Sequence, residues 1–171
     1  MEDEREILHI PSIELFGDWD TLQIYLKKKG NPPYSVGGDL ILVNTRIKTL
    51  GSLTSVSGNL DLYGSKIISL GNLTSVGGDL DLRYTTQIKT LGNLTLVSGN
   101  LNLRDSEINS FGNLTSVGGY LNLIDSQISS LGNLTTIGGS VDFRHTPLSK
   151  VMNEKEIRAQ VEIGENVFIK N

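Results

Sequence analysis

Residues 57–76 read SGNLDLYGSKIISLGNLTSV, and residues 98–117 read SGNLNLRDSEINSFGNLTSV. Between them, residues 77–97 read GGDLDLRYTTQIKTLGNLTLV, the same phrase with one residue more. The block recurs five times between Val36 and Thr136, and a shorter copy starts at Ile137. Self-similarity at a short fixed period is the signature of a solenoid, in which each coil buries its apolar row only against its neighbours.

The consensus is L-x-L-x-x-S/T-x-I-x-x-L-G-N-L-T-x-V. Its first leucines alternate with polar residues, as Leu60 and Leu62 do with Asn59, Asp61 and Tyr63. Period two predicts a strand with leucines inward. The equivalents are Leu40/Leu42, Leu80/Leu82, Leu101/Leu103, Leu121/Leu123 and Val141/Phe143, which stack as one parallel sheet. Glycine pairs such as Gly77-Gly78 precede the strand and predict a bend that uses glycine's freedom in φ. A single glycine after the later leucine, as at Gly71, marks another corner. The coil is too short for a full helix, so its back should be extended, with turns or 3₁₀ pieces. The hydroxyl position (Thr45, Ser65, Thr85 or Thr86, Ser106, Ser126, Thr146) is expected inward, bonded to backbone. The extra residue near Thr85-Thr86 predicts a bulge.

The chain has 171 residues and a net charge of −4, from 15 basic and 19 acidic residues. That length suits one domain, and the mild acidity argues against general nucleic-acid binding, which wants a basic face. With no cysteine, disulfides and thiolate chemistry are out. The opening MEDEREILHI has no apolar signal core, and no apolar run is long enough for a membrane span. The expectation is a cytoplasmic protein. Four Asn-Leu-Thr sequons, at Asn72, Asn93, Asn113 and Asn133, then read as one duplicated repeat position and not as glycosylation sites.

The phrase L-x-L-x-x-S/T-x-I-x-x-L resembles the leucine-rich-repeat pattern L-x-x-L-x-L-x-x-N-x-L, with Ser or Thr in the asparagine slot. With its V-G-G opening it is similar to the short repeats of bacterial and bacteriophage leucine-rich-repeat proteins, and more distantly to receptor L-domain repeats. The resemblance covers about residues 36–148. It implies a mainly β fold: a right-handed leucine-rich-repeat-like solenoid of about six coils, straighter than a horseshoe because the asparagine ladder is missing. A phage origin would further imply a protein that inhibits a host defence protein in the host cytoplasm.

Residues 1–35 do not repeat. Asp18 or Asp20 can cap a short helix through TLQIYLKKKG, with Leu22, Tyr25 and Leu26 on one face and Gly30 as stop. This segment is expected to cap the first coil. Residues 149–171 are expected to cap the last, with Asn153 starting a helix that turns Ile157 and Val161 inward, then one strand carrying Val167 and Ile169.

No nucleotide-binding or metalloprotease motif is present. His9 and His145 fall at opposite ends of the stack and read as surface histidines. The outward positions beside the leucines carry the variation. Counting from the glycine pair, the third position (Asp39, Asn59, Asp79, Asn100, Tyr120, Ser140) and the fifth (Ile41, Asp61, Asp81, Asn102, Asn122, Asp142) are mostly repetitive and polar, as surface filler is. The seventh (Val43, Tyr63, Arg83, Arg104, Ile124, Arg144) and the eighth (Asn44, Gly64, Tyr84, Asp105, Asp125, His145) vary strongly. Variation on one face suggests recognition of another protein, with Tyr63, Arg83, Tyr84 and Arg104 at its centre. Asp61, Asp81, Asp105, Tyr120, Ile124 and Arg144 extend that face, and exposed Ile41 and Val43 add apolar contacts. No enzymatic activity, cofactor or metal is expected. The sequence admits two alternatives: an ice- or carbohydrate-binding array on the Thr54, Thr74, Thr95, Thr115 and Thr135 column with its asparagines, and a hydrolase or cation site on the paired Asp61/Asp81 or Asp105/Asp125.

Overall fold

The computed structural model describes residues 6–169. The first five residues of the acidic opening, and Lys170 and Asn171 of the expected last strand, lie outside them. The chain is a mainly β solenoid of two parallel sheets. Its strands are very short: β1 (Leu8–Ile10), β2 (Tyr34–Val36), β3 (Leu40–Ile41), β4 (Leu53–Val56), β5 (Leu60–Asp61), β6 (Ser75–Val76), β7 (Leu80–Asp81) and β8 (Leu96–Val97). They continue as β9 (Leu101–Asn102), β10 (Ser116–Val117), β11 (Leu121–Asn122), β12 (Thr136–Ile137), β13 (Val141–Asp142), β14 (Glu162–Ile163) and β15 (Val167–Phe168).

The leucine strands form the expected sheet, ordered β15-β13-β11-β9-β7-β5-β3. Its register stacks like on like: Leu40 on Leu60, Leu60 on Leu80, Leu80 on Leu101, Leu101 on Leu121. The back of the coil is extended with short turns, as expected, but it is more regular than that. The Ser-Val ends of successive coils pair into a second parallel sheet, β1-β2-β4-β6-β8-β10-β12-β14. Two extended stretches per coil, each hydrogen-bonded to the next coil, satisfy backbone groups that a turn would leave to water. Between the sheets lies one apolar core. Leu60, Leu62, Ile67, Leu70, Leu73 and Val76 of a single coil are all buried, and burying each large side chain contributes about 1.5–3 kcal/mol.

The chain bends at the glycine pairs, as expected, but not through the left-handed region: the paired glycines do not have positive φ. They sit where stacked backbones approach: a Cβ on Gly77 would collide with the Ser57 carbonyl, and one on Gly118 with that of Ser98. The single-glycine corner does use the left-handed region, with φ of 63° at Gly71. The extra residue of the third coil widens an irregular stretch outside the strands, so that Thr86 and Gln87 both stand exposed between buried Thr85 and Ile88. Thr85 therefore holds the hydroxyl position. Its Oγ1 donates to the Leu82 carbonyl (2.6 Å), as Thr45 does to Leu42 and Thr146 to Phe143. The serines depart from expectation: the Oγ atoms of Ser65, Ser106 and Ser126 are buried with no hydrogen-bond partner among the described residues.

At the N-terminal end, helix α1 (Trp19–Lys28) starts at Asp18, whose Oδ1 accepts the Thr21 N–H at 2.7 Å. That bond holds the Asp18 carboxyl below its ordinary pKa. Leu22 and Leu26 join the solenoid core. At the C-terminal end, Asn153 and Glu156 form a capping box on helix α2 (Glu154–Arg158), which buries Ile157. The segment after it was read as one strand. It is instead another coil in miniature: Ile163 pairs with Ile137 in one sheet, and Val167 with Val141 in the other.

Candidate functional site

The outward face of the leucine sheet is built by a turn that repeats in almost every coil. The fifth-position side chain accepts the backbone N–H two residues on: Asp61 from Tyr63 (2.9 Å), Asp81 from Arg83 (2.9 Å), Asn102 from Arg104 (3.2 Å), Asn122 from Ile124 (3.1 Å) and Asp142 from Arg144 (3.1 Å). These are Asx turns, which end the strand and fix the direction of the seventh residue. The third position is also structural. Asp39, Asn59, Asp79 and Asn100 each accept the backbone N–H of the equivalent residue one coil on, at 2.7–2.8 Å. Both positions had been read as surface filler; they are polar ladders that hold the stack. The third-position ladder is interrupted at Tyr120, which has no short acceptor to offer, and resumes at Ser140, whose Oγ accepts the Asn166 N–H at 3.2 Å.

The eighth residue of every repeat has positive φ: Asn44 55°, Gly64 62°, Tyr84 56°, Asp105 55°, Asp125 58° and His145 62°. Gly, Asn and Asp tolerate this region, so much of that variation is turn chemistry. Histidine is also enriched there, so His145 follows the rule and Tyr84 does not. A bulky side chain at positive φ is strained. Its ring is 46% exposed, so core packing does not account for the choice.

Around Tyr84 the side chains are organised. Its ring meets Tyr63 edge to face, with centroids 5.4 Å apart. The Arg83 guanidinium lies over the Tyr63 ring, 5.1 Å from its centroid. Arg83 also grips Asp81 in a fork, Nε to Oδ2 at 2.9 Å and Nη2 to Oδ2 at 2.6 Å. That hydrogen-bonded carboxylate raises the Arg83 pKa further above its ordinary value, so the cation is permanent. Asp61 lies beside Asp81 in register. Tyr63, Arg83, Tyr84, Asp61 and Asp81 thus form one rigid cluster over two coils.

The other candidate residues fall elsewhere. Arg104 has Asn102 where Arg83 has Asp81; without a carboxylate to fork, it turns to Asp105 at 3.2 Å. Ile124 is half-buried between the two groups. Arg144 repeats the Arg83 fork, on an Asp142 side chain only 2% exposed. The Tyr120 hydroxyl stands 3.5 Å from Asp142 Oδ2. Burial first, and the Asp142 charge second, raise the Tyr120 pKa. Tyr120 and Arg144 therefore belong to a separate C-terminal group.

The alternative arrays have internal work. Thr54, Thr74, Thr95, Thr115 and Thr135 each donate the hydroxyl proton to a carbonyl of the preceding coil, at 2.9–3.1 Å. Asp61 and Asp81 hold backbone N–H groups, and Asp125 faces His145 Nδ1 at 3.0 Å. Among the described residues, no three His, Asp or Glu gather as metal ligands, and no helix is long and apolar enough to cross a membrane.

The geometry places the chain in the class of parallel β-solenoids with a side-chain cluster on one sheet. Compared with known proteins, the chain matches no family model, no curated protein and no solved structure.

Proposed function

We propose that this chain is a non-enzymatic recognition module that binds another protein through the leucine-sheet face. Its contact centre is Tyr63, Arg83 and Tyr84. The observation that carries the reading is Tyr84: a large exposed aromatic kept at a backbone position where the repeat otherwise uses mostly Gly, Asn or Asp. Strain retained at an exposed residue is a mark of function. The neighbours suit the task. Two tyrosines give rigid contact area, and a pre-positioned arginine loses little freedom on pairing with a partner carboxylate. Asp61 and Asp81 bias the charge of the patch, which bears on specificity and association rate. Arg104 and Asp105 form its rim one coil on, while Tyr120, Ile124 and Arg144 extend the face toward the C-terminus. Membership in the leucine-rich-repeat proteins, a cytoplasmic setting and a role against a host defence protein are part of this proposal, and they rest on the repeat style alone. The ice-binding alternative is less favoured because the threonine hydroxyl protons are already committed to carbonyls.

The test is affinity capture from extract of the source cells. Arg83→Glu should weaken capture at least tenfold, about 1.4 kcal/mol. The fork it removes is partly exposed, and such pairs contribute up to about 1 kcal/mol, so the melting temperature should fall by no more than about 2–4 °C. Thr95→Arg, on the other sheet, should bind normally. Normal binding by Arg83→Glu with loss in Thr95→Arg would refute the assignment.

A further inference from the structure

A second surface lies at the N-terminal end of the leucine sheet, apart from the Tyr63–Arg83–Tyr84 cluster. Among the described residues, the N-terminal segment adds a strand to the other sheet only, through β1 on β2, and β3 is an edge. Each coil of this sheet donates its N–H groups to the carbonyls of the next coil: Leu40 to Asn59, Leu42 to Asp61 and Asn44 to Tyr63. By the alternation of a strand, the Ile41 N–H and C=O and the carbonyls of Asp39 and Val43 point the opposite way, where no strand follows among the described residues.

Natural edges are shielded by lysine, proline, bulges or covering elements. This one offers Ile41, which is 57% exposed, and Val43, which is 37% exposed. Beside it runs a groove of about 650 Å³, walled by Ile13, Trp19, Asp18 and Asp20 of the N-terminal segment and by Ile41 and Arg46 of the first coil.

We infer that this groove binds one extended segment of another protein, added as a strand to the β3 edge. The segment has apolar residues facing Ile41 and Trp19, and lysine or arginine facing Asp18 and Asp20. The edge supplies the main-chain bonds, and the walls supply the choice of side chain, as in strand addition generally. Both aspartates are exposed, and the net charge of −4 also favours a basic segment.

Trp19 is the only tryptophan, so its fluorescence reports on this groove alone. The probe is an end-capped octapeptide alternating valine and lysine; its control has glutamate for lysine. We expect saturable change in Trp19 emission with the lysine peptide and at least tenfold weaker binding of the control. Ile41→Pro deletes an N–H that bonds nothing among the described residues, and edge positions of this kind admit proline; it should weaken binding at least tenfold. Asp20→Lys should do the same and improve binding of the glutamate peptide. Arg83→Glu should leave the titration unchanged, so failure here and failure of the leucine-sheet contact are told apart. If Ile41→Pro does not fold, a lysine peptide with alternate amides N-methylated serves instead and should bind at least tenfold more weakly to the unaltered protein. No saturable change, or equal binding after either loss of main-chain donors, overturns the inference. So does self-association in ultracentrifugation that Ile41→Pro or, should that variant not fold, Asp20→Lys abolishes, because the occupant would then be a second copy.

Discussion

Tyr84→Asn, made alone and in a Tyr63→Ala background, separates backbone strain from side-chain contact. At φ 56° a bulky residue costs about 1–2 kcal/mol, of which asparagine recovers about 1 kcal/mol because its short polar side chain suits this region. Against that stands the edge-to-face pair with Tyr63, centroids 5.4 Å apart, worth about 0.5–1.5 kcal/mol. The two effects nearly cancel, so Tyr84→Asn alone should change stability by less than about 1 kcal/mol. Once Tyr63 is alanine the contact is gone and the strain remains. The same change should then stabilise by about 1 kcal/mol, so the double-mutant cycle should show a coupling of about 0.5–1.5 kcal/mol, the worth of the ring pair. Urea unfolding followed by Trp19 fluorescence and circular dichroism gives the midpoints, with the slope checked for constancy. Destabilisation by Tyr84→Asn in the Tyr63→Ala background would refute the reasoning, because the ring would then be held by packing and not tolerated for binding.

Leu103 is fully buried mid-stack, so Leu103→Ala should cost about 2–5 kcal/mol in urea unfolding. Ser106→Thr should stabilise by about 0.5–1.5 kcal/mol, since the buried serine hydroxyl has no partner among the described residues, whereas threonine at the equivalent places of other coils donates to a carbonyl. Tyr34 is buried and its phenol pKa is pushed from 10.0 to about 12. Its folded pKa lies above its unfolded one, so its stabilisation is whole below pH 10 and is lost as the pH rises toward about 12. That loss amounts to about 2–3 kcal/mol, and Tyr34→Phe should lack it in thermal melts taken across this range.

The architecture was legible because the repeat is explicit. Leu60, Leu62 and their equivalents have no solvent-facing alternative at period two, and the stack follows from their recurrence. The second sheet was missed because Ser75-Val76 is too short for any periodicity to show. The reason for the glycine pairs was misread, because close approach between coils leaves the same trace in a sequence as positive φ. Glu162–Phe168 hid a further coil because only Ile163, Gly164 and Val167 keep the phrase. Of the candidate residues, Tyr63, Arg83 and Tyr84 do meet, while Arg104 and Arg144 part company. The rule dividing them was visible: arginine forks when aspartate stands two residues earlier, as at Asp81 and Asp142, and not after Asn102. The left-handed eighth position could also have been found, since Asn, Gly and Asp sharing one place announce it.

The central claim is that the Tyr63–Arg83–Tyr84 face meets a protein partner. Photo-crosslinking in the source cells tests it most directly, with benzoylphenylalanine in place of Tyr84 in one version and of Thr95, on the opposite sheet, in another. The account predicts one discrete protein adduct from position 84, reduced at least tenfold by Arg83→Glu, and none from position 95. A discrete adduct from position 95, with none from position 84, would contradict it.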